Sequence, residues 1–381
     1  MIRAGFRLLG GTGWQGGRNY LSNLFAALAA QPTRQVQPVL LVGAGEDPLD
    51  LALDGVEMVT PDPRLDSRFA RRLGRVMKLA VRRNVIESHL LARANVDVLS
   101  HTGPVGGRIP TIAWIPDLQH RHLPHLSSRY ERFMRDLLYR EMLRDAVITI
   151  ASSEAARADL VRFYAADPAR IRVLRFVSQP RERGAPIALD DLRARYPIPA
   201  RYFHLPNQLW KHKNHDLVVD ALRHAPGVSV VATGPREDYR HAHMYEALQA
   251  RIAKAGVGER FHHLGLVPFA DLVGLMRHSV AVINPSRFEG WSTTVEEAKS
   301  LGKRVLVSEL AVHREQAAPR ASYFATDDDD ALAMQMIDAW AHHDPAEDAR
   351  AAAAAAEALP GRTRAFAETY EAIVLEAVGR R

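Results

Sequence analysis

The sequence predicts an α/β protein built from two doubly wound parallel sheets. Short β-branched or leucine-rich runs alternate with helical patterns along most of the chain, which is the pattern of parallel sheets with helices on both faces. The candidate strands are too many for one ordinary sheet, so two sheets are the simpler layout. With 381 residues, the chain is also long enough for two to three domains at roughly 150 residues each.

In the first half the strand candidates are Phe6–Leu9, Val39–Val42, Val96–Ser100, Thr111–Trp114, Ala146–Ile150 and Ile171–Leu174. Helical patterns lie over Asn19–Ala30, Ser128–Arg144 and Ser153–Tyr164. Gln179–Ala200 has four prolines and no sustained periodicity, so it reads as the seam between domains spanning 1–190 and 191–360. Beyond it come strands Tyr202–Leu205, Ser229–Ala232, Phe261–Leu264, Val280–Asn284 and Arg304–Val307. Helical patterns there cover Asp216–Arg223, Glu237–Ala255, Asp271–Arg277 and Thr294–Ser300. The run Ala351–Ala356 is expected to be helical, because alanine is the best helix former. Pro360-Gly361 is expected to break that helix before a final amphipathic one, Thr363–Ala377.

Composition narrows the function. Hydrophobic residues make up 47% and charged residues 25%, ordinary values for a globular chain. Fifty Lys+Arg against 44 Asp+Glu give a net +6, too modest an excess for an obligate nucleic-acid binder. With 0 cysteines there can be no disulfide, cysteine zinc site, iron–sulfur cluster or thiol nucleophile. No apolar stretch approaches eighteen residues, and the N-terminus lacks the pattern of a signal peptide. The expectation is a cytoplasmic protein, soluble or bound to a surface.

Three strand-to-helix loops carry candidate chemistry. Gly10 to Arg18 is glycine-rich and precedes a helix, a setting in which backbone amides can approach an anion. It contains G-x-G-x-x-G as Gly11, Gly13 and Gly16, but lacks the acidic residue that should end the second strand of a dinucleotide site. Asn284–Ala298 runs from a strand through a loop into a helix. There Thr293 and Glu296 have capping-box spacing, which leaves the amides around Thr293, Thr294 and Val295 aimed above the sheet. A diphosphate suits such donors, and Glu289 and Glu297 beside it suit sugar hydroxyls. A plain capped helix with two solvated glutamates is the alternative. Pro206–His215 adds Lys211 and Lys213, point charges of the kind that serve phosphate, unless they are merely solvated.

Taken together, the Lys213 loop, the stretch Arg260–Gly290 and the stretch Glu297–Leu306 resemble the C-terminal half of a GT-B glycosyltransferase of family four. The family's two spaced glutamates match Glu289 and Glu297. Trp114–His120 and Glu289–Thr294 are similar to a branch acting in bacterial surface-polysaccharide assembly. The resemblance implies two Rossmann-like domains facing a cleft, with residues 361–381 returning to the first. It implies a retaining hexosyl transfer from a nucleoside-diphosphate sugar to a glycan or lipid-linked glycan, with no cofactor and no essential metal. Glu297 would then hold the ribose and Glu289 the donor sugar. Lys213, with the amides of Ser292-Thr293-Thr294, would hold the diphosphate, and Gly16 and Gly17 would lie near phosphates and acceptor. Gln208 stands where the family commonly has arginine, so either Lys211 compensates for the missing charge or the pyrophosphate is held differently. Asp117, then His120, are the candidates facing the reacting sugar, with a simple turn cap as the alternative for Asp117.

The segment Arg64–Arg93 carries a basic amphipathic pattern, with Arg68, Arg71, Arg75, Lys78 and Arg82 opposite an apolar side. Contact with an anionic bilayer is one reading and a core-facing helix the other. Asp327–Asp330 reads as a helix cap, not a metal motif, and the paired histidines lack ligand spacing. The rival functions are a nucleotide-sugar epimerase of the same architecture, a non-catalytic nucleotide- or polyanion-binding protein, and a Rossmann oxidoreductase.

Overall fold

The protein is described here from a computed structural model, over residues 1–8, 15–43, 48, 54–60, 94–103, 109–180, 186–236 and 243–380. It divides into two compact units, Met1–Ser178 with Pro360–Arg381, and Gln179–Leu359. The division falls at the first residue of the proline-rich stretch. The loop residues Gly10, Gly11 and Gly13 and the basic residues Arg68, Arg71, Arg75, Lys78 and Arg82 lie outside the described residues.

In the first unit β1 (Ile2–Arg7) leads into α1 (Gln15–Ala29), followed by β2 (Val36–Leu41), β3 (Glu57–Val59), β4 (Val98–Ser100) and β5 (Thr111–Ile115). Then come α2 (Gln119–His122), α3 (Arg129–Asp145), β6 (Ile148–Ala151), α4 (Glu154–Tyr164) and β7 (Ile171–Val173). The sheet is parallel throughout, in the order β3-β2-β1-β4-β5-β6-β7. Every residue of β4, β5 and β6 is buried, as strands covered on both faces require. Met142 of α3 and Leu160 of α4 pack there with Ala113 and Ile115.

The second unit has α5 (Leu189–Arg195), β8 (Phe203–Pro206), α6 (His215–His224), β9 (Val230–Thr233), α7 (Met244–Ala255), β10 (Phe261–His263) and α8 (Phe269–His278). It continues with β11 (Val282–Asn284), α9 (Thr293–Ser300), β12 (Val305–Ser308), α10 (Ala311–Gln316), β13 (Ala321–Phe324), α11 (Asp329–Ala341) and the start of α12 (Pro345–Gly379), whose residues from Pro360 on belong to the first unit. Its parallel sheet runs β10-β9-β8-β11-β12-β13. In both units the order reverses beside the first strand, between β1 and β4 and between β8 and β11. Such reversals open a crevice at the carboxyl ends of the strands, where ligands of doubly wound sheets bind.

Two strands escaped the sequence reading, β3 and β13. Both are edge strands with partly exposed residues, so neither shows a continuous apolar run. The expected break at Pro360 is absent, and α12 runs through it. Proline cannot donate to the carbonyl four residues back. The alanine-rich turns before it favour helix, and the turns after it are held by packing. In that second stretch Phe366, Tyr370, Ile373 and Val374 are buried. Glu371 Oε1 accepts from the amides of Gln35 and Val36 at 2.7 and 3.0 Å, and Tyr370 donates to Ser100 Oγ at 2.9 Å. Among the described residues no helix is long and apolar enough to cross a membrane.

Candidate functional site

The second unit gathers its polar side chains where β8 and β11 part. After β8 a short 3-10 turn, Lys211–Lys213, ends at Asn214 in the left-handed region (φ 58°). Asn214 Nδ2 donates to Pro285 O at 3.2 Å and Thr326 O at 2.9 Å, and Arg287 N donates to His212 O at 2.8 Å. The loops after β8 and β11 are thereby joined. Gly234, after β9, has φ 133°, and a Cβ there would lie 2.5 Å from Asn207 O. Only glycine lets the β9 turn pass this close to the β8 loop.

The joined loops place Lys213 Nζ 2.6 Å from Glu289 Oε1, with both side chains largely buried. Ser286 Oγ lies 2.6 Å from the same oxygen and 2.7 Å from Asn284 Oδ1. Its single hydrogen serves one acceptor at a time. Burial alone would raise the Glu289 pKa, but Lys213, with His212 and His313, overrides that and holds it at about 2. Glu289 is therefore a carboxylate throughout the working pH range.

Helix α9 begins one residue earlier than its sequence suggests. Its N-cap is Ser292, whose Oγ accepts from Val295 N at 3.3 Å. The expected capping box of Thr293 with Glu296 is not formed. Ser292 wins because Asn284 Nδ2 donates to its Oγ at 2.6 Å. Gln316 also clamps its backbone, accepting from Ser292 N at 3.3 Å and donating to Ser292 O at 2.9 Å. Gln316 further donates to Glu296 Oε1 at 3.2 Å, so Glu296 is structural by another route. The cap consumes the Val295 amide, while the amides of Thr293 and Thr294 have no partner among the described residues. Ser292→Ala should cost about 1–2 kcal/mol in chemical unfolding. A loss below about 0.3 kcal/mol would mean the cap is unimportant.

Glu297 stands one turn into α9. Its side chain is on the same side as Thr293, the residue is only 8% exposed, and its carboxyl has no hydrogen bond among the described residues. Burial pushes its pKa up to about 8. Thr294 Oγ1 is committed to Asn207 Oδ1 at 3.2 Å. Lys211 is exposed and Gln208 half-buried.

In the first unit Gly16 and Gly17 occupy the first turn of α1, and Gly17 is buried. Asp117 Oδ1 accepts from Gln119 N at 3.0 Å, the turn-capping arrangement. His120 is not turned toward solvent: its side chain is fully buried. Its Nε2 lies 3.0 Å from both Asp136 Oδ1 and Tyr164 OH. Burial lowers its pKa against the opposing pull of Asp136. This ring anchors α2 to α3 and α4. At the end of β4 the ring nitrogens of His101 lie 2.7 Å from Tyr20 OH and 2.8 Å from Ser100 Oγ.

Sequence reasoning missed Asn284 and Ser286 as site-building groups, although both stand in the loop it singled out. It also missed His313 and Gln316, which come from α10 and reach the site only because β12 lies beside β11. His313 Nδ1 is 2.8 Å from Ser308 O. Asp328 caps α11 by accepting from Ala331 N at 2.8 Å. His224, Asp329 and Asp330 bring ligand-type atoms within 4.8 Å of one another, but they are partly exposed and their contacts are loose ion pairs of 3.6 Å.

Each unit is thus a Rossmann-like parallel α/β body, and together they make the fold class of GT-B proteins. Residues 197–357, all within the second unit, match the family model described as glycosyl transferases group 1. No curated protein matches the chain in sequence. Among solved structures, Alr3699/HepE of Anabaena in complex with UDP and glucose is similar at 16% identity and a TM-score of 0.70, covering 99% of this chain and 100% of that one. Sucrose-phosphate synthase of Thermosynechococcus elongatus is similar at 16% identity and a TM-score of 0.68, covering 99% and 97%. A glycosyltransferase of Rickettsia africae is similar at 14% identity and a TM-score of 0.66, covering 98% of each chain.

Proposed function

We propose that the protein is a retaining glycosyltransferase of family four, acting without metal or cofactor. It moves a hexose-type sugar from a nucleoside-diphosphate sugar to a hydroxyl of a glycan, free or lipid-linked, in bacterial surface-polysaccharide synthesis such as O-antigen or capsule. The observation that carries this reading is the grouping at the β8/β11 switch point: a buried Lys213–Glu289 pair, with the amides of Thr293 and Thr294 and the Glu297 carboxyl one turn on, none of which has a hydrogen-bond partner among the described residues. The group 1 domain over the same residues and the UDP held by HepE agree with it.

In this reading the amides of Thr293 and Thr294, with the N-terminal dipole of α9 and Lys213, take the diphosphate and stabilise charge as it departs. Ser292 acts by fixing that helix start. Glu289 accepts sugar hydroxyls and Glu297 ribose hydroxyls. Lys211 and Gln208 lie at the solvent side of the phosphate loop, and Gly16, Gly17 and Asp117 belong to the acceptor side. The bond from the anomeric carbon to phosphate breaks and the bond to the acceptor oxygen forms on the same face. The acceptor proton passes to the departing phosphate oxygen, so no separate base is needed.

A thermal-shift panel of UDP, GDP, dTDP, ADP and CMP tests the site. A ligand at a hundred times its Kd adds about 2.7 kcal/mol, and silence from every nucleotide at millimolar level defeats the proposal. Release of free sugar with no acceptor present would favour an epimerase. The Glu297→Gln variant is expected to bind the best nucleotide about tenfold more weakly, having lost an ionisable acceptor. The same variant should be more stable than the parent above pH 8. In the parent, the Glu297 pKa raised to about 8 means stability present below the unfolded value near 4.5 is lost as pH rises through about 8. Glutamine has no such loss. Equal affinity in the two proteins would remove Glu297 from the site.

A further inference from the structure

His313 uses one ring nitrogen and leaves the other bare. Its Nδ1 lies 2.8 Å from Ser308 O at the end of β12. A carbonyl can only accept, so Nδ1 carries the ring hydrogen and donates it. The Ser308 hydroxyl, 3.5 Å from Nδ1, donates instead to Ser286 O at 2.5 Å. Nε2 is therefore a lone pair. It is buried with no partner among the described residues, and His313 as a whole is 1% exposed. Burial holds the pKa of the ring below its usual value against the opposing pull of Glu289, so the lone pair persists at neutral pH.

The bare nitrogen belongs to the Glu289 group. The Ser308–Ser286 bond ties the end of β12 to the loop that carries Glu289, and the two side chains are close enough for each to shift the other's titration. Lys213 Nζ and Ser286 Oγ both meet Glu289 at Oε1. Glu289 Oε2 has no hydrogen bond among the described residues. Two acceptors, Nε2 and Oε2, thus stand without a hydrogen. Buried polar atoms are almost always paired, so such a nitrogen marks the place where a donor arrives. A diphosphate is not that donor, because its oxygens are acceptors and a lone pair repels them. Hydroxyl groups are, since each supplies one hydrogen and brings no charge into a buried site.

We propose that His313 is a specificity residue for the donor sugar: Nε2 accepts from one sugar hydroxyl while Glu289 Oε2 accepts from another. The assignment rests on the transferase reading above and adds to it that the donor keeps both hydroxyls. A sugar deoxygenated at either position leaves a buried acceptor empty and is discriminated against.

Asparagine and glutamine separate the two nitrogens. Asparagine brings an amide nitrogen to the region of Nδ1, so His313→Asn keeps a donor for Ser308 O and removes the outer acceptor. Glutamine reaches as far as Nε2 and offers its carbonyl there, but gives up Ser308. The full chain is titrated calorimetrically with UDP and UDP-glucose, GDP and GDP-mannose, dTDP and dTDP-glucose, and ADP and ADP-glucose. For the pair that binds, His313→Asn should hold the nucleotide within about twofold of the parent and the nucleotide sugar about tenfold more weakly. Its unfolding midpoint should stay near the parent's. His313→Gln should recover most of the sugar affinity although its midpoint is lower. The proposal is overturned if His313→Asn binds both probes as the parent does, since the ring then only ties α10 to β12. It is also overturned if that variant loses nucleotide and nucleotide sugar equally, or if glutamine recovers nothing. Silence of the parent toward every probe defeats the transferase reading and this assignment with it, whereas the other outcomes remove His313 alone.

Discussion

Lys213→Met is expected to destabilise the protein by about 3–5 kcal/mol at pH 7, because it strands a buried carboxylate. Glu289 keeps Ser286 as a donor but loses the ammonium 2.6 Å away. Methionine fills a similar volume, so the loss comes mainly from charge and not from a cavity. The pH dependence separates this from ordinary damage. In the parent, Glu289 is held at about 2 against the usual 4.5, so its contribution is present above 4.5 and is lost as pH falls toward 2. Without Lys213, burial dominates and the pKa moves above the usual value. The variant's penalty is then largest when the carboxylate is forced to be charged, and it is relieved as pH falls. Urea unfolding at pH 7 and pH 4 should show the gap between parent and variant narrowing on acidification. A penalty under about 1 kcal/mol at pH 7 would mean the pair is solvated, and a gap independent of pH would place the damage elsewhere. Adding Glu289→Leu to Lys213→Met should restore much of the loss, since replacing both partners removes the orphaned charge.

Much of this arrangement was legible in the sequence because it is local. Strands β8 and β11 show as apolar runs, and the residues that follow them in sequence are the residues at the crevice. Lys213, Glu289, Thr293 and Glu297 could therefore be named from order alone. The shift of the cap from Thr293 to Ser292 could not. Both have side chains able to cap, and the choice is made by Asn284 and Gln316, one of them 24 residues away along the chain. His313 and Gln316 were invisible for the same reason: their place depends on which strand β12 pairs with. The surroundings of His120 were hidden differently. Its sequence setting, just beyond a strand end, suggested a crevice. Its actual partners, Asp136 and Tyr164, stand on two later helices and draw the ring inward. Pro360 is a case of tertiary packing overriding a local rule, since buried side chains on the far side of it keep the helix going.

Glu289→Gln should lower kcat for sugar transfer by about a hundredfold to a thousandfold, with a smaller change in KM. The carboxylate is charged before substrate arrives, fixed by Lys213 and Ser286 on one oxygen. It needs no reorganisation when positive character develops at the anomeric carbon. Glutamine keeps the shape but removes the charge and leaves Lys213 unbalanced. A proton-transfer role makes a different prediction. A general acid or base works best with a pKa near the working pH, and about 2 is far from it. An electrostatic Glu289 therefore contributes no titration to kcat/KM between pH 4 and 8. The glutamine variant should show a profile of the same shape, displaced downward. If the parent shows an acid limb in that range and the variant lacks it, Glu289 is exchanging protons, and an acid–base mechanism such as the epimerase would fit better. If turnover is unaltered by the substitution, the charge at position 289 is a structural counter-ion for Lys213 and the sugar is held by other groups.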